Sequence, residues 1–365
     1  MKKFALTFMV LLLGCNTSSQ IGVTRLDPQS GVSTPQAQPG VAPAGVTSSD
    51  AQPSSTIFFE QIRLRDGQAP VTNGVGFLDR DAETTDPFIV QLGQEVAVSD
   101  DPAFVPVSGG VLSIDRSSSN GTLRLLDLET LNSADLAEID GVVSVASTQS
   151  HSTIGWVDAQ GNAFLFKENL SKKLNLGSSS LKAKQISAVG PNSEFYVLAQ
   201  GETSKILLFT FDSLNPLVSF VADQFAVSPK GDRFLVVNGN SAEVYNPSTQ
   251  LTKSLPISGS IHEPAWQDEK TISYWTESSG KISIELFNTE TSQTTEVTTL
   301  NASMSTAGMI CPIWNQGVLY FADRRDGKNK ILRAHSESGV WTVSSFAEPT
   351  DPRFGLICPS VSNYF

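Results

Sequence analysis

The chain has 365 residues, with 25 Lys and Arg against 37 Asp and Glu, and a formal net charge of −12. That balance excludes nucleic acid as a partner, because a DNA or RNA groove needs clustered Lys and Arg. A hydrophobic fraction of 39% is too low for a multi-span membrane protein, and three His and three Cys leave little material for a zinc or haem centre. The length suits two or three ordinary domains or one large all-β unit.

The first residues read as an export signal. Met1-Lys2-Lys3 is a short basic start, and Phe4 to Leu13 is an apolar run too short to anchor in a bilayer. The segment Leu12-Leu13-Gly14-Cys15 resembles the bacterial lipobox, in which a small residue precedes a cysteine. The resemblance implies a signal peptide over 1–14 and a diacylglyceryl group and an N-acyl chain on Cys15. An ordinary cleaved signal with a chance cysteine is the alternative. Asn16, rather than Asp, follows the cysteine and favours the outer membrane. Two or more acyl chains suffice for stable attachment to a membrane.

Residues 15–55 form the lipidated start and a tether. Asn16 to Ser55 holds only Arg25, Asp27 and Asp50 as charges and no aromatic residue, so it cannot bury enough apolar surface to offset its ordering entropy. A coil of this length spans roughly 35 Å.

From Thr56 onward, aromatic and β-branched residues come in short runs separated by Gly, Asn, Asp and Ser. No helical periodicity is sustained, and the pattern predicts an all-β domain over 56–365. The runs repeat. Phe225 to Val227 leads through Ser228-Pro229-Lys230-Gly231 to Phe234 to Val237, then to Ala242 to Asn246 and Leu251 to Leu255. Aligning Val107, Val145, Val189, Val227, Trp266, Trp314 and Val361 gives spacings of 38, 44, 38, 39, 48 and 47 residues. That is the period of a four-stranded propeller blade.

Ser228-Pro229-Lys230-Gly231 and Pro264-Ala265-Trp266 carry a resemblance to the TolB-like, WD40-like propeller repeat. It covers Ser99 to Phe365 well and Thr56 to Val98 poorly, and no repeat has a full Ser-Pro-Asp-Gly. Seven first strands are visible, and the last one runs into the C-terminus. Its missing companions are sought at the N-terminal end, in Thr56 to Ile62, Gly74 to Leu78 and Phe88 to Leu92. Seven blades closed by pairing the two ends of the domain are therefore expected, with six or eight as alternatives and two β-sandwich domains as the competing architecture. Pro229, Pro264, Pro312 and Pro359 fall within or beside first strands, where an inner edge tolerates a missing N–H.

Candidate chemistry is sparse. Cys311 and Cys358 occupy equivalent repeat positions, in Ile310-Cys311-Pro312 and Ile357-Cys358-Pro359. In an oxidising compartment they are candidates for a disulfide; the alternative is two buried free thiols. His151, His262 and His335 fall in different repeats, and no metal-binding or hydrolase motif occurs. His262 and Glu263 open a first strand and are placed at the channel mouth. Arg324 and Arg325 begin a charged turn between a second and a third strand, either a solvated hairpin or a rim contact. Lys230, Asp232 and Arg233 are read as turn decoration. Trp156, Trp266, Trp275 and Trp314 are read as packing between blades.

The expectation is a lipid-anchored, non-enzymatic propeller of the cell envelope. It would hold no metal or cofactor beyond the lipid on Cys15, and would present its channel mouth to an envelope protein, as the TolB-like resemblance implies. The competing expectation is a propeller enzyme, or a small-molecule or metal binder, that uses the funnel. For that reading His262, Glu263 and Asp115 are the available contributors.

Overall fold

The computed structural model describes residues 56–361 except 65–68, 98–103, 108–109, 116–119, 128–132, 141–143, 148–152, 168–169, 190–193, 231, 247–248, 250, 258 and 302–309. Within them lie seven four-stranded sheets and no helix. Six sheets are made of consecutive strands. Blade 2 is Phe104–Val107, Gly110–Asp115, Asn120–Asp127 and Ser133–Asp140. Blade 3 is Ser144–Ser147, Thr153–Val157, Ala163–Lys167 and Leu170–Lys173. Blade 4 is Lys182–Val189, Glu194–Gln200, Lys205–Thr210 and Ser213–Val221. Blade 5 is Gln224–Val227, Phe234–Asn238, Ser241–Asn246 and Leu251–Leu255. Blade 6 is His262–Trp266, Thr271–Ser278, Lys281–Asn288 and Thr294–Leu300. Blade 7 is Ile313–Asn315, Val318–Arg325, Lys328–Glu337 and Val340–Ala347.

Blade 1 closes the ring. Its first strand is the C-terminal Phe354–Val361, followed in the sheet by Thr56–Arg63, Val71–Asp79 and Phe88–Ala97. Phe354 pairs with Arg63 and Val361 with Ile57, with a register shift between Phe58 and Glu60. The three strands sought at the N-terminal end are the ones found, and the blade count is the seven expected. The arrangement leaves no blade with an open face.

First strands touch first strands. Phe354–Val361 meets Phe104–Val107, which meets Ser144–Ser147, which meets Lys182–Val189; farther on, Gln224–Val227 meets His262–Trp266, then Ile313–Asn315, then Phe354–Val361 again. The joint between blades 4 and 5 is made by Tyr196, Ile206 and Leu208 against Phe234 and Val236. The first strands are therefore the inner ones.

Burial follows radius, and the sequence encodes it. Second strands are covered on both faces by neighbouring blades, so several read as largely apolar runs. Phe234–Asn238 is buried over four residues in succession, and Thr271–Ser278 over Ile272 to Thr276. Outer strands have one wet edge and are polar, as in Thr294–Leu300 and Leu251–Leu255. Tight hairpins need a left-handed pair. Asp326 and Gly327, at φ 52° and 77°, supply it between the second and third strands of blade 7. Among the described residues no helix is long and apolar enough to cross a membrane.

Candidate binding face at the channel mouth

The start of each inner strand and the turn between the second and third strands lie at the same end of a blade. In blade 6, His262 pairs with Trp275, near the Ser278–Lys281 turn. His262, Glu263, Cys311, Arg324 and Arg325 therefore lie at the same end of their blades. Asp115 ends the second strand of blade 2, while His262 and Glu263 belong to blade 6. Cys15 and His151 lie outside the described residues.

Glu263 does not stand free. Its backbone N–H donates to Gln224 Oε1 of blade 5 at 3.0 Å, and its own Oε2 accepts the Cys311 N–H of blade 7 at 2.6 Å. Gln224 Nε2 also donates to the Ile261 carbonyl at 3.0 Å. Cys311 in turn is bonded to Cys358 of blade 1, with the Cα atoms 4.8 Å apart. Gln224, Glu263, Cys311 and Cys358 each lie three residues before an aligned position: Val227, Trp266, Trp314 and Val361. One repeat position thus links four successive blades, twice by hydrogen bond and once by disulfide. In blade 4 the residue at this position, Ile186, has its N–H bonded to Ser144 Oγ of blade 3 at 3.1 Å.

The backbone at this position is unusual. Glu263, Cys311 and Cys358 have φ of 46°, 44° and 47°, and each precedes a proline. A left-handed L-residue before proline is disfavoured sterically and persists only where its surroundings over-determine it. Here the blade-to-blade bonds supply that constraint. The ladders beside two of these residues shift register, between His262 and Ala265 and between Phe58 and Glu60.

His262 is half-buried and stacks on Trp275, with ring centroids 4.0 Å apart and planes 17° off parallel. Burial lowers its pKa below the ordinary 6.5, while the Glu277 carboxylate pulls the other way. Trp275 Nε1 is buried without a hydrogen-bond partner. Trp266 and Trp314 are blade-to-blade packing, as expected. Their indole N–H groups donate to the Ala226 carbonyl of blade 5 and to Ser273 Oγ of blade 6, at 3.1 and 2.8 Å. Trp156 instead stacks on Phe164 of its own blade, and Trp275 on His262 of its own.

Arg325 is not a free solvated turn residue. Its Nε is in close ion contact with Asp323 Oδ2, 2.6 Å, without the alignment of a hydrogen bond, and its Nη2 donates to the Thr299 carbonyl of blade 6. Asp323 is fully buried and also accepts the Asn301 and Arg324 N–H groups. Beside it, Lys330 is buried. Burial alone would lower its ammonium, but hydrogen bonds to Glu348 and Asp326 carry it above the ordinary lysine value. His335, half-exposed, faces Glu337 at 3.6 Å.

The turn read as decoration is a clamp. Arg233 Nη1 donates to the Glu269 carbonyl, and the Lys230 N–H donates to Glu269 Oε1, joining the first turns of blades 5 and 6. Ser228 Oγ donates to Asp232 Oδ1 and accepts the Arg233 N–H, which shapes the turn for that contact. The linking role of Gln224 and Ser144 was also missed. The signal for Gln224 was its equivalence with Glu263 and the two cysteines.

No family model and no curated protein matches the chain by sequence. Solved structures do match by shape. A protein from Lactobacillus plantarum superposes with a TM-score of 0.54 and 11% identity, covering 84% of this chain and 98% of its own. The WD40 domain of Toxoplasma gondii coronin gives 0.52 and 11%, covering 81% of this chain and 76% of its own. TolB from Acinetobacter baumannii gives 0.45 and 12%, covering 84% and 82%. The fold is a WD40-like β-propeller.

Proposed function

We propose that this protein is a lipid-anchored propeller of the cell envelope that serves as a non-enzymatic scaffold for a protein partner. One observation carries the reading: polar side chains gathered at the mouth, Gln224, Glu263 and Arg325, are committed to neighbouring blades. Such a mouth is a stiff surface of fixed shape, suited to a preformed interface rather than to reacting groups that must move. The N-terminal lipobox resemblance supplies the anchor on Cys15, and the polar stretch after it supplies reach from an outer-membrane surface.

Two experiments test this reading. Cys15→Ala should move the protein from the membrane fraction to the soluble fraction. Crosslinking in intact cells, followed by purification through the propeller, should recover a stoichiometric envelope protein. Membrane retention of the variant would remove the anchor, and recovery of the propeller alone would remove the scaffold.

A second reading rests on Trp275. Its unpartnered indole N–H is buried behind the His262 ring, so a small molecule with a hydrogen-bond acceptor would reach it from the funnel by displacing that ring. Quenching of Trp275 fluorescence by an envelope metabolite, abolished in Trp275→Phe, would favour it over the scaffold.

A further inference from the structure

The chain of contacts at the mouth ends in its one covalent link. Gln224 holds the Glu263 N–H and Glu263 holds the Cys311 N–H, whereas Cys311 reaches the equivalent residue of the next blade through sulfur. We propose that the Cys311–Cys358 disulfide is a redox-controlled clasp between the ring's closing strand and blade 7, opened by a dithiol reductant and re-formed on oxidation.

Its place in the topology is the first argument. Thr56–Arg63 enters blade 1 from the N-terminal side, and Phe354–Val361 arrives from blade 7; only a hydrogen-bonded ladder joins these two strands. Every other blade is a continuous stretch of chain. The ring can therefore open, without breaking a peptide bond, only by separating this ladder. Both cysteines lie on the C-terminal side of this ladder, so the disulfide does not span it; it fixes Phe354–Val361 to the inner edge of blade 7 and so holds the strand in the position where Thr56–Arg63 pairs with it. Farther along the seam, the Leu64 N–H bonds to the Arg353 carbonyl, the Glu348 N–H to the Thr85 carbonyl, and Arg80 to Gln316. These hydrogen bonds hold the blades in register whether or not the sulfurs are joined, so reduction loosens the mouth without dissolving the ring.

Access is the second argument. Cys311 is partly exposed while Cys358 is 7% exposed, so we assign Cys311 as the sulfur an incoming thiolate attacks. Attack there breaks the S–S bond, forms a mixed disulfide on Cys311 and expels the Cys358 thiolate, which takes up a proton. The second thiol of the reductant then attacks its own sulfur, releases Cys311 as a thiol and leaves as an intramolecular disulfide. Two electrons and two protons pass to the cysteines, and the dithiol is oxidised.

Amide hydrogen exchange of the full chain, with and without dithiothreitol, tests the proposal when read beside thiol alkylation and mass. Unreduced protein should alkylate at neither Cys311 nor Cys358; reduced native protein should alkylate at both. Exchange in Phe354–Val361 and Thr56–Arg63 should then quicken by on the order of 100-fold, while Glu194–Gln200 in blade 4 stays unchanged. Removing the reductant before alkylation and adding an oxidant should restore slow exchange. The double variant Cys311→Ser and Cys358→Ser should exchange at the fast rate under both conditions. If that variant does not fold, the reversible wild-type cycle decides alone. Two reactive thiols before reduction would overturn the proposal. So would a bond that survives dithiothreitol in the native protein, or unchanged seam exchange after both thiols are released.

Discussion

Glu263 shows how one carboxylate becomes architecture. Its oxygen accepts the Cys311 N–H at 2.6 Å, across the joint between blades 6 and 7. Glu263→Ala leaves that N–H unpaired and should cost about 1–3 kcal/mol in denaturant unfolding. Glu263→Gln keeps an acceptor and should recover most of the loss; equal losses in the two variants would show that the bond is not what matters. His262, between Ile261 and Glu263 of the joint, contributes a pH dependence. Its native pKa lies below 6.5 because burial disfavours the imidazolium, with Glu277 opposing. The unfolded chain therefore binds the proton first as pH falls. The stabilisation from a neutral His262 is complete above the unfolded value and is lost progressively as pH falls from about 6.5 through the lower native pKa. His262→Phe keeps a ring on Trp275 without the proton, so its stability should change less than wild type between pH 7.5 and 5. Parallel stability curves for the two proteins would rule out this role.

At the scale of the strand and turn, the decisive devices are blade-to-blade contacts made by segments that look ordinary in sequence. The Ser228–Asp232 turn is one. Ser228 is buried and binds both Asp232 and the Arg233 N–H, and so aims Arg233 at blade 6. Ser228→Ala and Asp232→Ala should each destabilise the protein by about 1 kcal/mol. The double variant should cost less than the sum of the two by at least about 0.5 kcal/mol, as measured by a double-mutant cycle in denaturant. Strict additivity would mean that the turn does not act as a unit. The strands themselves were legible because the double coverage of a second strand imposes a local pattern, as in Phe195 to Ala199 or Leu319 to Ala322. The clamp was not legible, because Arg233 and Glu269 are 36 residues apart and meet only across a joint.

For the whole molecule, closure is the constraint that counts. The inner strand of blade 1 comes from the C-terminus and its other strands from the N-terminal side, so the two ends of the domain stabilise each other. A chain ending at Thr350 would lack that inner strand and the Cys358 link. It should lose the single cooperative unfolding transition and migrate as an expanded or associating species in size-exclusion chromatography, because Thr56–Arg63 would become an unpaired edge. A compact monomer with an unchanged midpoint would show that six blades and a partial seventh are self-sufficient.

By itself the sequence determined the strand content and the repeat period, and favoured seven blades, over six or eight, in a ring closed by its two ends. These follow from turn residues and apolar runs that act over a few residues, and from their recurrence. It also placed Cys311 and Cys358 in register. The tertiary structure alone decided what the polar residues do. Glu263 bonds the next blade instead of facing the funnel freely, Arg325 reaches blade 6, and Lys230 and Arg233 hold a joint. The linked positions are 39, 48 and 47 residues apart, one repeat each, so they become neighbours only when the ring sets each blade against the next. Spacing along the chain reports that two residues are equivalent; the rotation from blade to blade determines whether they touch.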